Sequence, residues 1–218
     1  ERVLAVNPNA LMLVRVELTD GHNAIVDPAS SGQGYLFDEL HLMRPNGSVF
    51  PSGCSSDSDW RRCASITDAW VNDTSVTLNA LLRQLDRRFP GSIFGVQLTT
   101  LSTGEWMIAH NEGEGYGDYS ESSQREFCKE GWDVAAGPRS SCKVPTTAQR
   151  NEATFGNLFV TADTEQGTAV VAYQRYMASR VASAIAALAR GIKQETGGRA
   201  WVSAYYGYLF HSPGALSW

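Results

Sequence analysis

Apolar residues along the chain gather in a few short patterned blocks, separated by long polar stretches. Residues 10–18 (Ala-Leu-Met-Leu-Val-Arg-Val-Glu-Leu) open as an almost continuous apolar run and then alternate. That is the pattern of a parallel strand covered on both faces early in its length. From Thr74 the period changes: Leu78, Leu81, Leu82, Leu85 and Phe89 fall at helical spacing, with Arg83, Asp86 and Arg87 on the other side, and Pro90-Gly91 stops the helix. Residues 92–98 follow at once as a short, apolar, β-branched run, so a helix leads into a strand across a tight turn. Residues 120–130 read as a short helix ending near Gly131. A long helix is predicted from about Thr168 to Glu195, with Met177, Val181, Ile185, Leu188 and Ile192 along one face and Gly197-Gly198 ending it. Residues 201–208 supply a third strand.

The polar stretches sit between these blocks. Residues 19–70 are rich in Gly, Ser, Pro and Asp and too long for a simple connection, which makes them a candidate functional excursion. Residues 99–119 and 131–150 are shorter segments of the same kind. The order strand, excursion, helix, strand, loop, helices, strand predicts an α/β fold with a parallel sheet, in one domain over residues 1–218 without internal repeats. The long loops follow the carboxyl ends of strands, where α/β barrels build their active sites. Three strands are too few to close a barrel, and no helix follows the last one before Trp218. Either half of a barrel is absent from this chain or the fold is a smaller open sheet.

Composition narrows the partners. The formal charge of −5 is spread along the chain, and its 18 basic residues form no run longer than Arg61-Arg62 and Arg87-Arg88. A nucleic-acid footprint is therefore missing. No apolar stretch approaches the ~20 residues that span a bilayer, and the start Glu1-Arg2-Val3 has no signal-peptide character, so a targeting segment is expected to have been removed. Cys54 and Cys63 bracket a polar loop, and Cys128 and Cys142 bracket a Gly/Pro/Ser segment. Neither spacing is that of a zinc or redox motif, and two local disulfides are expected. The sequons Asn46-Gly47-Ser48 and Asn72-Asp73-Thr74 agree with an extracellular or secretory-pathway location.

Three stretches carry a family resemblance: Asn7-Pro8-Asn9-Ala10 with the strand that follows; Gly95-Val96-Gln97-Leu98 with Thr103-Gly104-Glu105-Trp106 and Gly117-Asp118-Tyr119-Ser120; and Thr196-Gly197-Gly198-Arg199 with Tyr205-Tyr206-Gly207-Tyr208. Together they resemble strands three to five of the catalytic barrel of family 42 β-galactosidases, within the (β/α)8 glycoside hydrolases. The resemblance implies the central part of a TIM-type barrel and a retaining enzyme acting on β-linked carbohydrate, with Glu105 as acid/base and the nucleophile on a later strand. The family's Asn-Glu pair at the end of strand four is replaced here by Thr100-Leu101. A second reading is an extracellular glycoprotein that keeps the architecture for assembly or sugar binding without catalysis.

The residues of the second loop suit that chemistry. A glycosidase needs one protonated carboxyl group near the leaving oxygen, and Glu105 beside Trp106 offers one. Trp106, Tyr116, Tyr206 and Tyr208, with Asp118, are the candidate substrate-binding residues, since flat aromatic faces with polar tips stack against sugars. His110, Glu112, Glu114 and Asp118 form an acidic stretch of calcium-ligand type whose spacing matches no EF-hand loop. His22, His41 and His211 stand outside any metal-ligand spacing. No metal and no cofactor are expected. The expected partners are carbohydrate and, if the sheet is incomplete, the remainder of a barrel or another chain.

Overall fold

The computed structural model describes residues 2–18, 65–100, 106, 117–130, 142, 144–146 and 165–205. Along them the chain forms α1 (Arg2–Val6), β1 (Met12–Glu17), α2 (Asp68–Arg88), β2 (Ile93–Thr99), α3 (Glu121–Glu130), α4 (Glu165–Glu195) and β3 (Trp201–Ala204). The strands make one parallel sheet in the order β1-β2-β3. This corrects the barrel expectation. The described fold is a small three-stranded parallel sheet with four helices, in which β1 and β3 are edge strands. Alternating strands and helices specify parallel crossovers locally, but closure needs about eight strands whose tilt and stagger agree.

Both crossovers place helices on the same face. Val14, Val96 and Val202 share one row of the sheet, and Val16, Leu98 and Ala204 the next but one. These residues pack in one core with Leu78 and Leu82 of α2 and Val181, Leu188 and Ile192 of α4. The two helices run parallel and in step. Asp68 pairs with Arg180, Asn79 faces Gly191, and Arg83 pairs with Glu195, each pair 112 residues apart. Gly191 suits that closeness: a Cβ there would stand 3.1 Å from the Asn79 side-chain oxygen, which would have to shift by a few tenths of an ångström.

Helix α2 begins six residues before the expected Thr74. Thr67 caps it, its hydroxyl accepting from the Trp70 N–H at 3.1 Å. At the other end Phe89 N–H donates to Leu85 O, and Gly91 turns the chain at φ 71° toward β2. Helix α4 ends on Gly197 and Gly198, at φ 59° and 80°, with Gly198 N–H donating to Lys193 O at 2.7 Å.

The opposite face of the sheet carries no helix among the described residues. Leu13, Gly95 and Trp201 form its first row, followed by Arg15, Gln97 and Ser203. The register slips between Met12 and Leu13, so Phe94 is the extra residue of a bulge in β2. It turns onto this open face and stacks on Trp201 with ring centroids 6.3 Å apart. Leu13, Phe94 and Trp201 remain 58%, 46% and 69% exposed. No helix among the described residues is long and apolar enough to cross a membrane.

Candidate functional site at the carboxyl edge of the sheet

The strands end together at their carboxyl edge. Glu17 closes β1 beside Thr99 of β2, whose hydroxyl lies 2.9 Å from Val16 O and 3.0 Å from Glu17 Oε2. Leu18 N–H donates to Thr99 O at 2.7 Å, carrying the pairing one residue past the strand. Trp106 returns to this edge. Its backbone N–H donates to Thr100 O at 3.0 Å and its indole Nε1–H to Leu98 O at 3.1 Å. The ring meets Trp70 edge-on at 6.4 Å. Trp106 also has φ 58°, a left-handed conformation that costs a bulky residue about 1–3 kcal/mol and persists only where the surroundings impose it. Here two hydrogen bonds and complete burial impose it.

Behind this edge lies a buried polar cluster centred on Asp118, which is 3% exposed. Its Oδ1 accepts the Ser120 N–H at 2.9 Å, and its Oδ2 accepts the hydroxyls of Ser65 and, at 3.1 Å, Ser120. With both protons committed to the carboxylate, the Ser120 oxygen is the acceptor for the Ser122 hydroxyl at 3.1 Å and the Ser123 N–H at 3.3 Å. Ser120 is thus the N-cap of α3. The Tyr173 hydroxyl of α4 donates to Asp118 O at 2.8 Å and also contacts Ser123 Oγ at 3.2 Å. Burial first, and the Asp118 charge second, push the Tyr173 phenol well above its ordinary value, which keeps it a donor. Tyr119, Tyr173, Phe127 and Tyr176 pack around the cluster, the first two stacked at 4.6 Å.

Gly117 admits this arrangement. It has φ 122°, and a Cβ would stand 2.7 Å from the Met177 methyl group. Met177 Sδ in turn accepts the Asp118 N–H at 3.2 Å. On the other side, Arg180 reaches Asp68 at 2.8 Å, Glu126 at 3.0 Å and Ile66 O at 3.3 Å. Burial opposes its charge, but Glu126 and Asp68 outweigh burial and raise the guanidinium above its ordinary value. This one side chain ties α2, α3 and α4 together.

The structure redistributes the residues singled out by sequence. Trp106 has no accessible surface, and the Asp118 carboxylate faces Ser65 and Ser120. Flat aromatic and acidic residues serve a core as well as a cleft, and here the hydrogen-bond partners lie inside. Glu105, Tyr116, Tyr206, Tyr208, Asn46, Cys54, Cys63, His110, Glu112 and Glu114 lie outside the described residues, as do His22, His41 and His211. Asn72 stands exposed on α2, with the Thr74 of its sequon buried. Cys128, near the end of α3, is joined to Cys142 with their Cα atoms 5.1 Å apart.

Ser65, Glu17, Tyr173 and Arg180 were not singled out by the sequence. The one local signal was Asp118-Tyr119-Ser120, an Asp two residues before a helix-capping Ser, which is an Asx-turn pattern. Among the described residues no group of three or more His, Cys, Asp or Glu is placed to hold a metal. A surface groove lined by Gln84, Leu85, Arg88 and Phe89 lies at the end of α2 that leads into the amino end of β2, away from this edge. Comparison of the chain with protein-family models, curated proteins and solved structures gave no match.

Proposed function

We propose that the chain is a glycoside hydrolase acting on β-linked carbohydrate, with Glu105 as its acid/base carboxyl group. Trp106 is the observation that carries this reading. A strained residue, anchored twice to the end of the central parallel strand, directly follows Glu105 in the chain. Ligands of open parallel sheets bind outside the carboxyl ends of the strands, and strain held at such an edge is a mark of a site under functional constraint. Retention needs a second carboxylate about 5–5.5 Å from the first, so the mechanism calls for a carboxylate partner to Glu105.

Turnover of aryl β-galactosides by the protein and by Glu105→Gln tests the reading. The wild type should turn over, and the variant should lose a factor of about 10²–10⁴. Equal rates would remove Glu105 from the mechanism. The burial of Trp106 and Asp118, which gives both a part in the core, favours a second reading, a catalytically inactive extracellular structural or carbohydrate-binding glycoprotein, which the absence of turnover with any glycoside would select.

We also propose a secretory route, supported by the Cys128–Cys142 disulfide and the exposed Asn72. A glycan removable by an endoglycosidase from protein made in a secreting eukaryotic host is the expected finding. Free alkylation of Cys128 and Cys142 without reductant would contradict this route.

A further inference from the structure

We infer that Asp118 is a positioning residue that couples the return of the chain ahead of α2 to its return ahead of α3. Ser65 is separated from the end of β1 by a long segment, and Asp118 is separated from the end of β2 by another. The described chain resumes at Ser65 after the first segment and, beyond Trp106, at Gly117 after the second, and the Ser65 hydroxyl and the Asp118 carboxylate meet there as one buried pair.

The bonding explains why an acid stands there. Two hydroxyl protons and one backbone N–H converge on its oxygens, and Oδ2 alone takes both hydroxyls. A carboxylate presents only acceptors, whereas an amide would direct an NH2 group at one of these donors. The Asp118 backbone is held as well. Tyr173 donates to the Asp118 carbonyl, Met177 accepts its N–H, and Gly117 leaves room for Met177 and Tyr119. Ser65 sits two residues before the cap of α2, and Ser120 is the cap of α3. A shift at either helix start therefore moves the shared carboxylate and, through it, the other start. Charge-assisted hydrogen bonds in a buried setting are the strong ones, so the link is stiff. Glu105 and Trp106 lie between β2 and Asp118, so the coupling bears on the proposed glycosidase, and its effect on turnover rests on that reading.

Amide hydrogen exchange on the full chain tests the coupling, using Ser65→Ala, Asp118→Asn, Asp118→Ala and the Ser65→Ala/Asp118→Ala pair. Each single substitution should speed exchange about tenfold in both residues 65–71 and residues 118–124, with Asn milder than Ala. The pair should exchange no faster than the faster single variant. Acceleration confined to the substituted segment, or multiplied effects in the pair, would overturn the inference. If Asp118→Ala does not fold, Ser65→Ala and Asp118→Asn still decide it. On aryl β-galactosides, Asp118→Asn should lower kcat about tenfold and leave KM within about threefold. An unchanged kcat beside coupled exchange would remove the positioning role. A wild type without turnover would overturn the glycosidase reading, while the exchange result would still judge the coupling.

Discussion

The two faces of the sheet are built from alternating residues of the same strands but meet different surroundings. On the covered face, Val96 and Leu98 lose all solvent contact against α2 and α4. On the open face, Leu13, Phe94 and Trp201 keep about half their surface or more, beside Arg15, Gln97 and Ser203. A purely parallel sheet ordinarily has both faces covered. The contrast teaches that the stability of the described fold is one-sided. It resides in the layer between sheet and helices and in the polar cluster at its carboxyl edge, and the open face contributes little to it.

Substitutions can break that contrast. The largest effect is expected on the covered side: Trp106→Ala should cost about 3–5 kcal/mol in urea unfolding, since it empties a fully buried site and leaves Leu98 O without its indole donor. Next, Gly117→Ala should cost more than about 1 kcal/mol, because the new methyl group meets Met177 at a backbone angle that favours glycine. Tyr173→Phe should cost about 1 kcal/mol at pH 7 through its hydrogen bond to Asp118 O.

The raised Tyr173 pKa adds a pH test. The unfolded phenol ionises near pH 10 while the folded one still holds its proton, so the unfolded state binds fewer protons there. Stability should be flat below about pH 10 on this account and fall as pH rises beyond it, with a shallower fall in Tyr173→Phe. Equal slopes in both proteins would show that the phenol is not the group responsible. The smallest effects belong to the open face: Leu13→Ser should stay within about 0.5 kcal/mol of wild type. A loss as large as that of Trp106→Ala would mean that the two faces are equally covered in solution.

Regular periodicity was what the sequence exposed most clearly. The stripes of α2 and α4 placed Leu78, Leu82, Met177, Val181, Leu188 and Ile192 in the core, where they are found. The strand after Pro90-Gly91 was legible for the same reason. The start of α2 was hidden because Thr67 and Asp68 fell within a stretch dominated by Gly, Ser and Asp, where a capping Thr resembles any loop residue. The barrel expectation failed for a different reason. Strand pairing is local in pattern, but the number of strands in a sheet depends on contacts far apart in sequence. At the carboxyl edge, residue type suggested ligand contact for Trp106 and Asp118, but it carried no sign of their burial or of the groups they bond. Partners such as Ser65 and Tyr173 are more than 50 residues away from Asp118, and no local pattern reveals them.

Helix α4 has 31 residues and β2 has seven, lengths of about 46 Å and about 23 Å respectively. One rod is thus twice as long as the strands beside it. Its second half, through Leu188 and Ile192, lies over the sheet; its first half, through Tyr173, Met177 and Arg180, reaches past the sheet to the Asp118 cluster. The helix therefore acts as a ruler that fixes how far the polar cluster stands from the strands. Inserting or deleting a single residue near its middle would rotate one half against the other by about 100°. It would disengage the cluster from the core while leaving both nearly intact.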